Sequence, residues 1–278
     1  MLDALASATL ENAVCDSPHL GSGCGFPAPG TELFSFKPVV EFNLFGINFD
    51  LNKPSLIMIF GSALIIIFFA IAFARPRLVP GKVQSIGEVS YLFVRDQIGR
   101  ETIGKDGDRY MPFLFSLFIF VAFMNVMGIV PAIQFPVMSV FAFPVSLAVM
   151  VWITYMFIGF KHQGRGFIKN MCVPKGVPLG VLFILAPIEF ISNIFIRPFT
   201  LAIRLFANMF AGHLLLTVFI VASLYLASLS VIGILGSTAS FLMTIIMTGF
   251  EFGIELLQAY IFTLLTASYI AGSLHAEH

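Results

Sequence analysis

From about Val177 to Val221 the chain runs as one apolar stretch, and six polar residues are set into it: Glu189, Asn193, Arg197, Thr200, Arg204 and Asn208. The steps between them are four, four, three, four and four residues, which on an α-helix stacks all six along one face. An arginine at the centre of a bilayer costs about 2.5–3.5 kcal/mol on insertion scales, so Arg204 needs a partner or a water-filled cavity. The stretch is expected to handle charge inside a membrane.

Composition agrees with that setting. The 278 residues are 58% hydrophobic and 11% charged, where a soluble domain carries charges near about 25%. A polytopic membrane protein is predicted, all-α in class. Of the 15 Lys+Arg, seven fall in residues 75–109 and four in residues 161–175. By the positive-inside rule these basic loops are cytoplasmic, which puts the amino terminus outside and the carboxyl terminus in the cytoplasm, in a cell membrane. No positive segment followed by an apolar one opens the chain, so no cleavable signal peptide is expected. Cys15 and Cys24 then lie on the outer side, where a disulfide is permitted, and Cys172 lies in the cytoplasm. Gly21, Gly23 and Gly25 imitate a nucleotide loop only weakly, with no strand before and no helix after.

Residues 1–53 read as an extracytoplasmic segment with a strand near Val39 to Phe49. The membrane domain covers 54–278. Pro54 opens a transmembrane helix over 54–74, stopped by Arg75-Pro76-Arg77. In 78–110, Val83, Ile86, Val89 and Phe93 recur opposite Gln84, Glu88 and Arg95. Such an amphipathic helix lies either on the cytoplasmic membrane surface or against partner subunits. A hairpin of two spans follows over 112–160, with Asn125 and Gln134 near its outer tip as packing groups or as the border of an aqueous path. After a cytoplasmic loop over 161–176, two long apolar runs fill 177–274. A helix of about 45 residues measures roughly 68 Å, about twice a 30 Å hydrocarbon core. Each run therefore breaks, for instance at Pro187 or Pro198, or the two lie strongly tilted as a hairpin.

On the last run Glu251, Glu255 and Gln258 are four and three residues apart, again one helical face. Two carboxyls in a bilayer that share a face repel when both are ionised, so one is expected to hold a proton, as a relay needs. His213 adds an imidazole nine residues after Arg204, on the opposite side of its helix. Ala207 and Ala211 flank the arginine and admit close approach of another helix. Arg197 admits a plainer role, pairing with Glu189 or Asn193 as structural glue. His275 and His278 have loose metal-ligand spacing in a terminal tail, and neither a metal site nor a cofactor is expected.

The motifs RPFTLAIRLFANMFAGH and ELLQAYIFTLLTASYI, with IEFISNIFIRPF and FMNVMGIVP, resemble subunit a of the F-type ATP synthase, the membrane stator and proton channel. The likeness covers about residues 54–274 and points to actinobacterial members. It implies that Arg204 is the essential arginine facing a rotating ring of c subunits and that Gln258 faces it from the last helix. In some bacterial members the positions matching His213 and Glu251 carry a glutamate and a histidine, so the pair is exchanged here. The acid often found in the outer hairpin is absent at Gly128. The family fold implies the tilted hairpin against the ring, with b-type peripheral stalk subunits and the soluble catalytic head as further partners beside membrane lipids, and no nucleic acid.

The resemblance implies two offset aqueous half-channels leading to and from the ring carboxylates, with His213, Glu251, Glu255, Gln258, Glu189 and Asn208 as relay or lining groups. Asn193, Arg197 and Thr200 form a secondary seam. The chain carries no phosphate loop, so it is expected to do no ATP chemistry itself. A proton-coupled secondary transporter would use the same buried charges, but its paired repeat of interrupted helices is not found.

Overall fold

The computed structural model describes residue 26 and residues 40–44, 47–130, 136–164, 166–172, 179–228 and 230–274. Cys15, Cys24, Gln134, His275 and His278 lie outside the described residues. The chain forms two compact units, one built on Ala211–Gly253 and the other on Pro38–Phe210 with Ile254–His278.

The larger unit opens with an antiparallel hairpin, β1 (Val40–Leu44) and β2 (Ile47–Leu51), in the register Val40 opposite Leu51 and Leu44 opposite Ile47. The single strand expected here is thus two short ones, and the rest of the described chain is helical. Pro54 stands in the first turn of α1 (Lys53–Phe73), where its missing N–H goes unmissed. This helix is apolar on every side, and Ile59, Ile66 and Ile71 are exposed, as befits a lipid-facing span. Its Gly61 rests against Met124.

Helix α2 (Lys82–Val94) turns back beside α1. Gln84 ties the connection, accepting from the Arg77 N–H at 3.2 Å and donating to the Arg77 carbonyl at 3.1 Å. Gln84, Gly87 and Val94 are buried, while Val83, Ile86, Val89 and Phe93 are exposed. Val83, Ile86 and Val89 of the apolar stripe expected from the sequence are thus left uncovered, while the Phe93 ring, at its end, meets Phe118 and Tyr260. A π-turn (Arg95–Arg100), a helical turn (Glu101–Ile103) and a 3₁₀ segment (Gly104–Arg109) follow. They are closed by Asp108, which accepts from Arg95 Nε at 3.1 Å and from Arg100 Nη2 at 3.0 Å.

Helix α3 (Met111–Val126) is shorter than the span expected over Pro112 to Val130, because the backbone turns at Met127–Ile129. Helix α4 (Ala142–Gln163) is a full span, and α5 (Gly166–Cys172) packs back on it where Gly159 admits the Phe167 ring. Helix α6 (Leu179–Ile191) runs through a π-turn (Ser192–Ile196) into α7 (Arg197–Tyr225), and α8 is continuous from Val231 to Leu274. Neither Pro187 nor Pro198 separates the run into two spans. Pro187 sits within α6, and the strain near Pro198 is absorbed by the π-turn. Among the described residues four helical stretches are long and apolar enough to cross a membrane, Lys53–Phe73, Ala142–Gln163, Phe183–Tyr225 and Val231–Leu274, with Met111–Val126 as a shorter apolar helix. The fold is that of an all-α polytopic membrane protein.

The core of this unit gathers Leu114, Val121 and Met124 of α3, Val151 and Tyr155 of α4, Leu201, Leu205 and Met209 of α7, and Ala259, Phe262 and Ile270 of α8. In the smaller unit the end of α7 and the start of α8 run antiparallel, joined by a short connection that Ser230 caps by accepting from the Gly233 N–H at 3.0 Å. The Ser237 hydroxyl donates to the Ser223 carbonyl at 2.7 Å and holds the two together.

Candidate functional site

In the larger unit, α7 buries Leu201, Ala202, Leu205 and Met209. Arg204, half-buried, and Asn208, exposed, fall on the flank of that stripe. The Asn208 amide donates to Gln258 Oε1 at 2.9 Å. Gln258 is 2% exposed, and its Nε2 has no hydrogen-bond partner among the described residues. One turn earlier on α8, Glu255 is also 2% exposed, and its carbonyl accepts from the Asn125 amide of α3 at 3.3 Å. Arg204 is half-buried, and makes no ion pair or hydrogen bond among the described residues. Thr200 and Ala207, on its other side, are exposed. The guanidinium thus stands beside an amide pair of which only Gln258 is buried, with small side chains near it.

A second polar group in the same unit surrounds the π-turn. Asn193, 3% exposed, donates to the Glu189 carbonyl at 2.8 Å and to Glu189 Oε2 at 3.3 Å. Arg197 does not join this pair. Its guanidinium carbon lies 5.3 Å from the centroid of the Tyr269 ring, a cation–π contact. The π-turn explains the difference: it holds one more residue than an α-turn, which rotates what precedes it by about 100° relative to an unbroken helix. The six-residue seam is therefore two groups, Glu189 paired with Asn193 of the turn itself, and Arg197, Thr200, Arg204 and Asn208 after it.

In the smaller unit Glu251 is 8% exposed and its Oε2 makes no hydrogen bond among the described residues. The carboxyl lies against the backbone of Gly212, where a Cβ would come within 2.7 Å of Oε1. His213 is half-buried, and its carbonyl accepts from the Thr217 hydroxyl at 2.8 Å. An acid and an imidazole are thus held in one unit, and an arginine beside an amide pair in the other. Among the described residues no cluster of three metal-ligating side chains occurs.

The sequence profile of the family described as ATP synthase A chain matches residues 55–271. The chain is 49% identical over 267 residues to the ATP synthase subunit a of Streptomyces lividans, covering 94% of this chain and 92% of that one. It is 43% identical over 259 residues to the subunit a of Frankia alni, with 91% and 88% covered. The subunit a of a Nocardioides species is 40% identical over 268 residues, with 92% and 96% covered. The chain belongs to the ATP synthase subunit a family. It is accordingly a multi-pass membrane subunit of an ATP synthase complex.

Against this family background, three groups escaped the sequence. Tyr155 and Tyr269, each in an apolar helix, buttress the π-turn; a tyrosine in such a run asks for a hydroxyl partner, and that was the available signal. Gly212 carries the contact with Glu251, and nothing in the sequence separates it from other helical glycines.

Proposed function

We propose that this chain is the proton-translocating, non-catalytic stator subunit of an F-type ATP synthase, with Arg204 facing the carboxylates of a c-subunit ring. The observation that carries the reading is Arg204 itself. It is a permanent cation in apolar surroundings, beside the part-buried Asn208–Gln258 pair and given no counter-ion among the described residues. A cation there costs several kcal/mol unless an acid on another polypeptide or water completes it.

The mechanism follows from charge. Protons enter from outside along a half-channel bordered by His213, Glu251 and Glu255 and protonate a ring carboxylate. Neutral, that carboxyl travels through lipid at low cost. After nearly a full turn it reaches the inner half-channel and releases its proton to the cytoplasm. Arg204 attracts the ionised carboxylate and repels protons, so the half-channels stay separate. The driving force is about 2.3 kcal/mol per charge per 100 mV, plus any pH difference.

Lengths support the tilted arrangement. α8, at 44 residues, measures about 66 Å against a hydrocarbon core of about 30 Å. A rod of that length lies steeply inclined, which suits a helix laid along a ring. On this reading the amino terminus lies outside and the carboxyl terminus in the cytoplasm, as the distribution of basic loops suggests, with b-type stalk subunits and the soluble head as further partners.

Gentle purification tests the reading. The account expects a ring of small hairpin proteins and a soluble ATPase to accompany the chain. A cysteine at exposed Ala207, with Cys15, Cys24 and Cys172 replaced by Ser, should cross-link to a ring subunit. A chain that purifies alone and cross-links to no small hairpin protein contradicts it.

A further inference from the structure

The helical rod that presents Arg204 has one weak point, and three chain segments converge on it. Pro198 has no N–H for the carbonyl of Ile194 and crowds it with its ring, so the α-helical pattern fails in the turn just before. That is where the π-turn Ser192–Ile196 lies. A π-turn carries one surplus residue. If the surplus moved along or were lost, everything beyond it would rotate by about 100° and shift by about 1.5 Å. Arg204 and Asn208 would then leave the flank of α7 from which Asn208 reaches Gln258.

Four contacts hold the surplus in place. The Tyr155 hydroxyl of α4 donates to the Asn193 carbonyl, inside the π-turn, at 2.6 Å. The Asn193 amide closes the preceding turn on the Glu189 carbonyl at 2.8 Å and reaches the Met171 carbonyl of α5 at 3.4 Å. Arg197, the first residue past the turn, sits on the Tyr269 ring of α8, which leans on Tyr155 with ring centroids 5.6 Å apart. Tyr155 is buried, so its hydroxyl has little alternative to that carbonyl. An apolar core fixes the distance between helices better than their rotation. A hydroxyl aimed at one carbonyl and a cation stacked on one ring fix rotation.

We propose that Tyr155 and Arg197 are positioning residues for proton transfer: they lock the π-turn, and with it the azimuth at which Arg204 and Asn208 stand beside α8. The inference rests on the role given to Arg204 above, but its decisive test does not depend on that role. Tyr155→Phe keeps the ring and removes only the hydroxyl. In the purified complex, with Cys15, Cys24 and Cys172 replaced by Ser, spin labels at exposed Ile153 of α4 and Phe199 of α7 report the rotation of α7. The expected result is a shift of several ångström or a marked broadening of the label distance in Tyr155→Phe. An unchanged distance overturns the proposal, whatever the activity does and however much complex assembles.

Coupling is read beside it, as protons pumped per ATP hydrolysed in inverted vesicles. Tyr155→Phe and Arg197→Gln should each lower that ratio about three- to tenfold, and the double variant should be no worse than the poorer single, because both act on one turn. Unsubstituted coupling in Tyr155→Phe, or losses that multiply in the double variant, would also overturn it. Should Arg204→Ala pump normally, the reading of Arg204 falls, while the label distances still decide whether Tyr155 sets the rotation.

Discussion

The amide of Asn208 donates to the side-chain oxygen of Gln258 across 2.9 Å, joining α7 to α8 four residues after Arg204. The bond does two things. It satisfies a buried glutamine oxygen, and it fixes the part of α7 that carries the arginine against the helix that faces it. Because Gln258 is 2% exposed, a lost donor is not readily replaced by bulk water.

Asn208→Leu tests this. It leaves Gln258 Oε1 buried without its donor, at a cost of about 1–3 kcal/mol. Proton pumping driven by ATP in inverted vesicles should fall severalfold while hydrolysis by the soluble head persists. Unchanged pumping would remove the pair from the machinery.

Gly212 makes a separate prediction. A methyl group there would stand 2.7 Å from Glu251 Oε1 and 3.1 Å from its Cδ, so Gly212→Ala must displace the carboxyl. Slower proton uptake is expected, read as a lower pumping rate at unchanged subunit levels. Glu251→Asp, one methylene shorter, should recover part of the loss in the double variant, a non-additivity expected only of neighbours. Full additivity would show that the two do not share space.

Much of this was legible in the sequence, and the reason is the membrane. Where nearly every residue is apolar, the few that are not stand out, and the spacing of Arg204, Asn208, Glu251, Glu255 and Gln258 already places each on a helical face. What stayed hidden depends on departures from ideal geometry. The seam from Glu189 to Asn208 reads as one line only if the helix is uniform, and the π-turn before Pro198 divides it. Arg197 consequently meets Tyr269 rather than Glu189 or Asn193. The span expected over Pro112 to Val130 stops at Val126 because hydropathy does not register the turn at Met127–Ile129. On α2 the exposed residues include Val83, Ile86 and Val89 of the stripe, while Phe93 rests on Phe118 and Tyr260.

The cytoplasmic segment after α2 has its own pH dependence. Hydrogen bonds from Arg100 and then Arg95 hold the Asp108 carboxyl well below the usual carboxylate range, and the same contact raises Arg100. A depressed folded-state value means that the contribution is fully present above the unfolded value, about 3.9, and is lost as pH falls through the folded one. The protection of amides over residues 95–109 against exchange, relative to the unstructured rate at the same pH, should therefore be high at neutral pH and fall in acid. Asp108→Asn should show low protection throughout, with little change on acidification. A variant that keeps the acid-dependent step would assign it to another carboxyl.

The central claim is that Arg204 keeps two half-channels apart while it meets a moving acid, and Arg204→Ala examines it most directly. The measurement is ATP synthesis driven by an imposed proton gradient in sealed vesicles, together with passive proton permeability once the soluble head is stripped away. The account predicts that coupled synthesis is abolished, with assembly intact and permeability equal to or above that of the unsubstituted complex. Coupled synthesis at the unsubstituted rate in Arg204→Ala would contradict it.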